Sequence, residues 1–428
     1  MSPLFRWREV SPAPGAVVLP DERLPWPYTL AMGVQHVVAM FGSTVLAPLL
    51  MGFDPNLAIL MSGIGTLVFY VLTGGRVPSY LGSSFAFIGV VIAASGYAGG
   101  GPNAHLAGAL GGIIGCGAVY ALIGLAVMAT GTRWIEALMP PVVTGAIVAV
   151  IGLNLAAIPI KNMAPTPFDA WMQGLTFVCV ALVAVFMRGL AQRLLILVGL
   201  AAAGLAYAVL TNGLGLGKPI DTSGIASAAW FGLPHFAAPR LDPQALLLIA
   251  PVAVILVAEN LGHLKAVGAM TGRSLDPLMG RAFVADGVAT MISGLCGGTG
   301  VTTYAENIGV MAATRIYSTA TFVVAALVAL LLGFSPKFGA VIQAIPLAVM
   351  GGVSIVVFGL IAVAGARIWV ENKVDFADPR NLMIAAITLV LGTGDYTLHI
   401  GSLVVGGIGT ATFGALILGA LLGRSGGR

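Results

Sequence analysis

The stretch "SGLCGGTGVTTYAENIGVMAATR", Ser293–Arg315, sets one glutamate, Glu306, among small and apolar residues. Gly297, Gly298 and Gly300 disfavour a helix, whereas Val301, Thr302, Thr303 and Tyr304 suit an extended strand. Helical character resumes near Glu306. The pattern predicts a short extended piece followed by a half-helix. Thr303 and Glu306 also fit a capping box, in which the glutamate satisfies an orphan N–H at the helix start. Forty-seven residues earlier, "VAENLGHLKAVG" places Glu259 and His263 in another apolar run.

What surrounds these two segments decides how they are read. The chain has 428 residues, 58% hydrophobic and 8% charged, against about 25% charged in soluble domains. Mean hydropathy is +1.00. Apolar runs recur along the whole length, many near the ~20 residues a helix needs to cross a bilayer. Fourteen spans are predicted: 28–50, 57–73, 77–94, 106–129, 135–158, 172–188, 193–212, 244–270, 280–295, 299–315, 317–334, 336–362, 381–394 and 405–424. The fold class is an all-α polytopic membrane protein. The polar, Pro-rich start "MSPLFRWREVSPAPG" lacks the apolar core of a secretory signal. Cys116, Cys179 and Cys296 lie in apolar runs at wide spacing and read as buried small hydrophobes.

With the N-terminus inside and the spans alternating, sixteen of the 20 Lys and Arg residues fall on the cytoplasmic side. Arg6, Arg8, Arg188, Arg193, Lys265, Arg315, Arg424 and Arg428 are among them, and only Lys161, Lys218, Arg240 and Lys337 fall outside. This is the positive-inside bias, and it supports both an even span count and cytoplasmic termini. The basic residues are topology determinants, and no nucleic-acid signature is present.

The connection at 213–243 divides the spans into seven and seven, and the halves echo each other. Gln35 in "MGVQHVVAMFG" aligns with Glu259 at an offset of 224, and "SSFAFIGV" from Ser83 aligns with "TYAENIGV" at 220. "MPPVVTG" from Met139 aligns with "IPLAVMG" from Ile345 at 206. An odd number of spans per half implies an inverted repeat, a recurring transporter architecture. The echo of the opening stretch, "VPSYLGSSFAFIGV", has the same interrupted build, with Pro78, Gly82 and two serines before Phe85. Paired interrupted spans point to a binding site at the membrane midplane, where two short strands satisfy each other by pairing.

A charge in a span costs ~2.5–3.5 kcal/mol on insertion scales. A Thr–Gln pair would cap without that cost, so ligand binding is the stronger reading of Glu306. Glu259 and His263 share a helix face at i,i+4 and can share a hydrogen bond and a proton. Such carboxylate–histidine relays mark proton-driven transporters. Asp286, five residues after Arg281, reads either as a structural pair near an interface or as part of coupling. Gln35, His36, Ser84 and Asn307 are supporting candidates, while Asp54, Asp395, His105, His235 and His399 read as solvated. The chain carries no GxSxG, HExxH, Walker A or Rossmann glycine pattern, so neither an enzyme nor a fused ATPase is expected. No metal or cofactor is expected.

"ENIGVMAATR", Glu306–Arg315, resembles the signature of the nucleobase–ascorbate transporters, also called type 2 nucleobase–cation symporters. "AENLGH" and "VPSYLGSSFAF" resemble that family's eighth and third spans, and the resemblance covers nearly the whole chain. Within the family it points to the bacterial uracil permeases and, through "PDERLP" from Pro20, to pyrimidine permeases. The resemblance implies fourteen spans in a 7+7 inverted repeat, with short antiparallel strands in spans 3 and 10. It implies a core domain at 28–129 and 244–334 and a gate domain at 135–212 and 336–424. It implies that a pyrimidine base lies between the strands, held by Glu259 and Glu306, with Phe85, Tyr304 and Ala305 completing the site. His263 would support Glu259 in proton coupling. Ala305 departs from the glycine of uracil permeases and adds a methyl beside the substrate. The two Pro-x4-Gly segments, Pro140–Gly145 and Pro346–Gly351, read either as smooth contacts that slide past the core or as simple span starts. The expected protein imports uracil with protons across a bacterial inner membrane, as a homodimer. The alternatives are a purine or ascorbate carrier, an uncoupled facilitator and an anion exchanger of related architecture.

Overall fold

In the computed structural model, the described residues are 4–11, 16–97, 101–188, 192, 194–401 and 403–423. Arg193, Arg424 and Arg428, counted above among the cytoplasmic cations, lie outside them. Among the described residues, nine helices are long and apolar enough to cross a bilayer. The count is ten if the bent pair Thr319–Gly333 and Pro336–Gln343, which meet at 82°, forms one span. Three shorter apolar helices, Phe85–Ser95, Pro379–Thr393 and Gly407–Leu422, accompany them.

Helix boundaries follow local chemistry. Asp54, read as solvated, is the N-cap of Pro55–Leu72 and accepts from Asn56 N. The predicted span 336–362 is corrected to two elements: Pro336–Gln343 ends before Pro346, and Leu347–Glu371 begins after it. Proline restricts the residue before it and lacks an N–H, so one helix cannot run through this point. Pro140 likewise caps Pro141–Leu155. The hairpin Leu398–Ile400 with Leu403–Val405 was not expected from the sequence.

The helices sort into two groups by what they touch. Trp26–Met51, Pro55–Leu72, Leu106–Thr130, Asp276–Cys296 and Thr319–Gly333 pack among themselves. Pro141–Leu155, Pro167–Phe186, Leu195–Ala208, Leu347–Glu371, Pro379–Thr393 and Gly407–Gly423 form the other group. Gly145 faces Trp369 and the Gly365 carbonyl, and Gly351 faces Gln173 and Met163. Both therefore pack inside the second group. These glycines allow close approach between neighbouring helices of that group.

The N-terminal residues form a strap. Arg8–Glu9 pairs in parallel with Glu22–Arg23, and Val18 bridges to Ile316. Asp21 meets Arg273 at 2.8 Å. The Leu19 N–H, and after it the Arg8 guanidinium, hold the Glu22 carboxyl below the usual carboxylate range.

Candidate functional site

The interruption around Glu306 is built as the glycines demand. Helix Asp276–Cys296 stops at Gly297, whose φ of 93° is left-handed and favours glycine. The chain then runs extended through Val301–Thr303, and helix Ala305–Thr314 follows with Tyr304 at its N-cap. In the other half Leu81–Ser83 is extended, and Ser84 caps the turn Phe85–Phe87 by accepting from Ala86 N at 3.3 Å. The two strands are antiparallel, with Leu81 opposite Thr303, Gly82 opposite Thr302 and Ser83 opposite Val301. Ser84 N extends the ladder to Gly300 O at 2.9 Å.

Neighbouring hydroxyls absorb the groups the ladder leaves over. Thr66 Oγ1 accepts from Leu81 N at 2.9 Å, and Thr290 Oγ1 donates to Val301 O at 2.9 Å. Tyr304 Oη donates to Ser83 O at 2.7 Å. Tyr304 is thus a pin between the strands; its hydroxyl is committed, and what it can offer a ligand is backbone. Buried irregular backbone is tolerable in a membrane only when it is satisfied in this way.

Helix Val252–Thr271 packs against the Phe85–Phe87 turn, the Val301–Thr303 strand and the Ala305–Thr314 helix. It carries Glu259 alongside the strand and the half-helix that bears Glu306. Both glutamates are half-buried, while Ala305 is exposed at the start of the half-helix. The first N–H groups of that half-helix have no partner within the helix and form a donor surface. Phe85 is buried with its ring edge-on to Phe358 of Leu347–Glu371, centroids 5.8 Å apart. A cavity of about 240 Å³ opens beside Glu306. Val38, Ala39, Gly309 and Val310 line one wall, and Gln192, Leu194–Leu197 and Leu360 the other. Glu259 does not line it.

Three readings are corrected by the geometry. Thr303 does not cap Glu306, because it lies in the strand and the N-cap Tyr304 makes no side-chain capping bond. Glu306 Oε1 instead accepts from Ser43 Oγ at 2.6 Å. His263 does not bond Glu259: its Nδ1 meets Thr303 Oγ1 at 2.8 Å, so the imidazole turns toward the strand. Asp286 is not near an interface. It is fully buried between three helices, with Oδ2 accepting from Asn260 Nδ2 at 2.6 Å and Tyr120 Oη at 3.4 Å.

The supporting candidates divide. His36 Nδ1 meets Asn307 Oδ1 at 2.8 Å, which ties the first helix to the residue after Glu306. Gln35 is buried nearby, with its Nε2 unpartnered among the described residues. Ser43, Tyr120 and Asn260 were missed, and Thr303 was given the wrong partner. Asn260 had a signal, as a second polar residue directly after Glu259. Ser43 had none, since it meets Glu306 from 263 positions away. The cysteines are free thiols.

An apolar helical bundle whose two broken segments pair around half-buried carboxylates defines a membrane permease, not an enzyme. The chain belongs to the permease family (Xan_ur_permease), whose pattern it matches over residues 28–401. It is 68% identical over 408 residues to the putative pyrimidine permease RutG of Escherichia coli K12, covering 95% of this chain and 92% of that one. It is 41% identical over 420 residues to the uracil permease of Paenibacillus larvae, covering 94% and 96%. The resemblance to bacterial uracil and pyrimidine permeases read from the motifs therefore holds over nearly the whole length. The fold is also that of the transmembrane domain of a cyanobacterial bicarbonate transporter, BicA. That likeness has a TM-score of 0.62 at 17% identity and covers 92% of this chain and 97% of that one.

Proposed function

We propose that the chain is a proton-coupled symporter that imports a pyrimidine nucleobase, uracil first, across a bacterial inner membrane by alternating access. The observation that carries this reading is the packing of the helix that bears Glu259 against the paired strands and the half-helix that bears Glu306. A pyrimidine is a flat neutral ring with N–H donors and C=O acceptors. Carboxylates accept from ring N–H, backbone N–H at the start of the half-helix donates to C=O, and Phe85 covers the ring face. The names of the relatives favour pyrimidines over purines.

Proton coupling is assigned to Glu259, which takes no hydrogen bond from the described residues and so has a free oxygen for a proton. His263 is linked through Thr303 and Asn260 to Asp286, a second buried carboxyl on the neighbouring helix. The two contact groups support the division into a core and a gate at 28–129 with 244–334 and 135–212 with 336–424. Exchange of the halves maps the Leu106–Thr130/Asp276–Cys296 pair onto the Thr319–Gly333/Pro55–Leu72 pair, which supports a 7+7 inverted repeat and fourteen spans. The charge bias puts both termini in the cytoplasm. On that orientation the cavity beside Glu306 opens inward, while the cleft at Ala86, Ile255 and Val404 on the outer side holds only about 20 Å³. The substrate then leaves past Gln192 and Leu194. A homodimer remains our expectation for the assembly.

The test is uptake of radiolabelled uracil into proteoliposomes under an imposed pH gradient, with unlabelled bases as competitors. Uracil accumulation that a protonophore abolishes is expected. Accumulation that survives the protonophore points to an uncoupled facilitator. Uptake of labelled xanthine with no uptake of labelled uracil points to a purine carrier, and exchange driven only by internal anions to an anion exchanger; each overturns the proposal.

A further inference from the structure

Six buried hydroxyls on the helices, those of Thr66, Ser95, Thr176, Ser354, Thr388 and Thr412, share one habit. Each donates to the carbonyl four residues back in its own helix, at 2.6 to 2.7 Å. That bond is available anywhere inside a helix and satisfies the hydroxyl without any other partner. Two departures from it serve a built feature: Thr290 and Ser293 both bond the extended segment at Thr299–Val301. Ser43 also departs. It lies within helix Trp26–Met51, 1% exposed, with the Ala39 carbonyl one turn below it. Its hydroxyl instead donates to Glu306 Oε1 at 2.6 Å.

A hydroxyl-to-carboxylate bond of that length is charge-assisted and strong. It fixes the rotamer of Glu306 and takes one of the two acceptor sites on Oε1. His36, two turns before Ser43 on the same helix, holds Asn307. Two consecutive residues at the start of the half-helix are therefore anchored on one face of the first helix. Glu306 Oε2 remains as the fully open acceptor. A free carboxylate prefers two parallel N–H donors on adjacent positions, as a guanidinium presents. A carboxylate whose Oε1 already holds a hydroxyl is a weaker acceptor there and offers Oε2 as its better one, which suits a single N–H flanked by carbonyls.

We propose that Ser43 is a positioning and specificity residue. By bonding Oε1 it tunes Glu306 to a ring imide N–H, as in uracil, and against rings with adjacent ring N–H and amino donors, as in guanine. The inference rests on the reading of Glu306 as a substrate carboxylate.

Uracil transport and guanine competition are measured in proteoliposomes for the parent, Ser43→Ala, Ser43→Thr and Glu306→Gln. Ser43→Ala is expected to raise KM for uracil about tenfold with kcat within about twofold, since one charge-assisted bond is lost and the gate is untouched. Its guanine-to-uracil preference should rise about tenfold. Ser43→Thr keeps the donor and should keep the parental preference. Should Ser43→Ala not fold, Ser43→Cys keeps the volume with a weaker donor, and the same preference decides. An unchanged preference without the hydroxyl, or an equal change in Ser43→Thr, overturns the proposal. Parental uracil binding by Glu306→Gln overturns the underlying reading instead; loss of binding there with no effect of Ser43→Ala defeats only the role of Ser43.

Discussion

The two broken segments have nearly the same backbone and opposite chemistry. Pro78–Ser95 and Gly297–Thr314 each run from an extended piece of three residues into a short helix, and the extended pieces pair register for register. Yet the first carries no ionisable side chain between Leu81 and Ser95, only the neutral hydroxyls of Ser83, Ser84 and Ser95, while the second carries Glu306. The preceding helices repeat the contrast: Gln35 and His36 in the first half stand where Glu259 and Asn260 stand in the second. On the proposed reading the first half supplies a ring face and the backrest of Ser43 and His36, and the second supplies the negative charge. A shared scaffold therefore does not divide the work equally. Concentrating the charge in one half confines the desolvation cost to one place, where the opposing half can offer hydroxyl and imidazole partners.

Glu306→Gln is the sharpest way to break this comparison. The amide still fits beside Ser43, so the fold should persist, but the charge-assisted acceptor is lost. Uracil binding, measured by titration calorimetry, should weaken by roughly 10–150-fold, the equivalent of 1.5–3 kcal/mol. If the variant binds like the parent, the second half holds no privileged charge. Glu259→Gln comes next. Binding should fall by less, about tenfold or under, because the amide oxygen can still accept. Accumulation driven by a pH difference alone should vanish, because an amide carries no proton. Persistent accumulation would move the coupling to Asp286. The smallest effect belongs to the seam itself. Tyr304→Phe deletes the bond to Ser83 O, worth about 1 kcal/mol. Uracil affinity should change less than about threefold, with the melting temperature down by roughly 2 °C. A larger loss of affinity would mean that the Tyr304 hydroxyl faces the ligand and not the strand.

Much of this molecule was legible because membranes impose local rules. Composition and run length gave a polytopic chain. Glycine, β-branched residues and a lone glutamate in Ser293–Arg315 announced a strand followed by a half-helix, because each of those preferences acts within a few residues. Glu259 and Glu306 were singled out on a similar ground, since a charge in a span needs a reason wherever the span lies, whereas Phe85 came only from the family resemblance. What the tertiary structure alone decided was the set of partners. His263 turns to Thr303 and leaves Glu259, although i,i+4 spacing permits that pair, because the strand brings a hydroxyl within 2.8 Å. Thr303 and Glu306 have the spacing of a capping box, but the strand claims Thr303 and the Ser43 hydroxyl claims the carboxylate. Asp286 finds Asn260 and Tyr120 on two other helices. A hydrogen bond is decided by which groups meet within about 3 Å, and the groups that met here came from positions 26 to 263 apart in the chain. Sequence spacing determines which residues can share a face of one helix; only the packing of the two halves determines which of them have something better to hold.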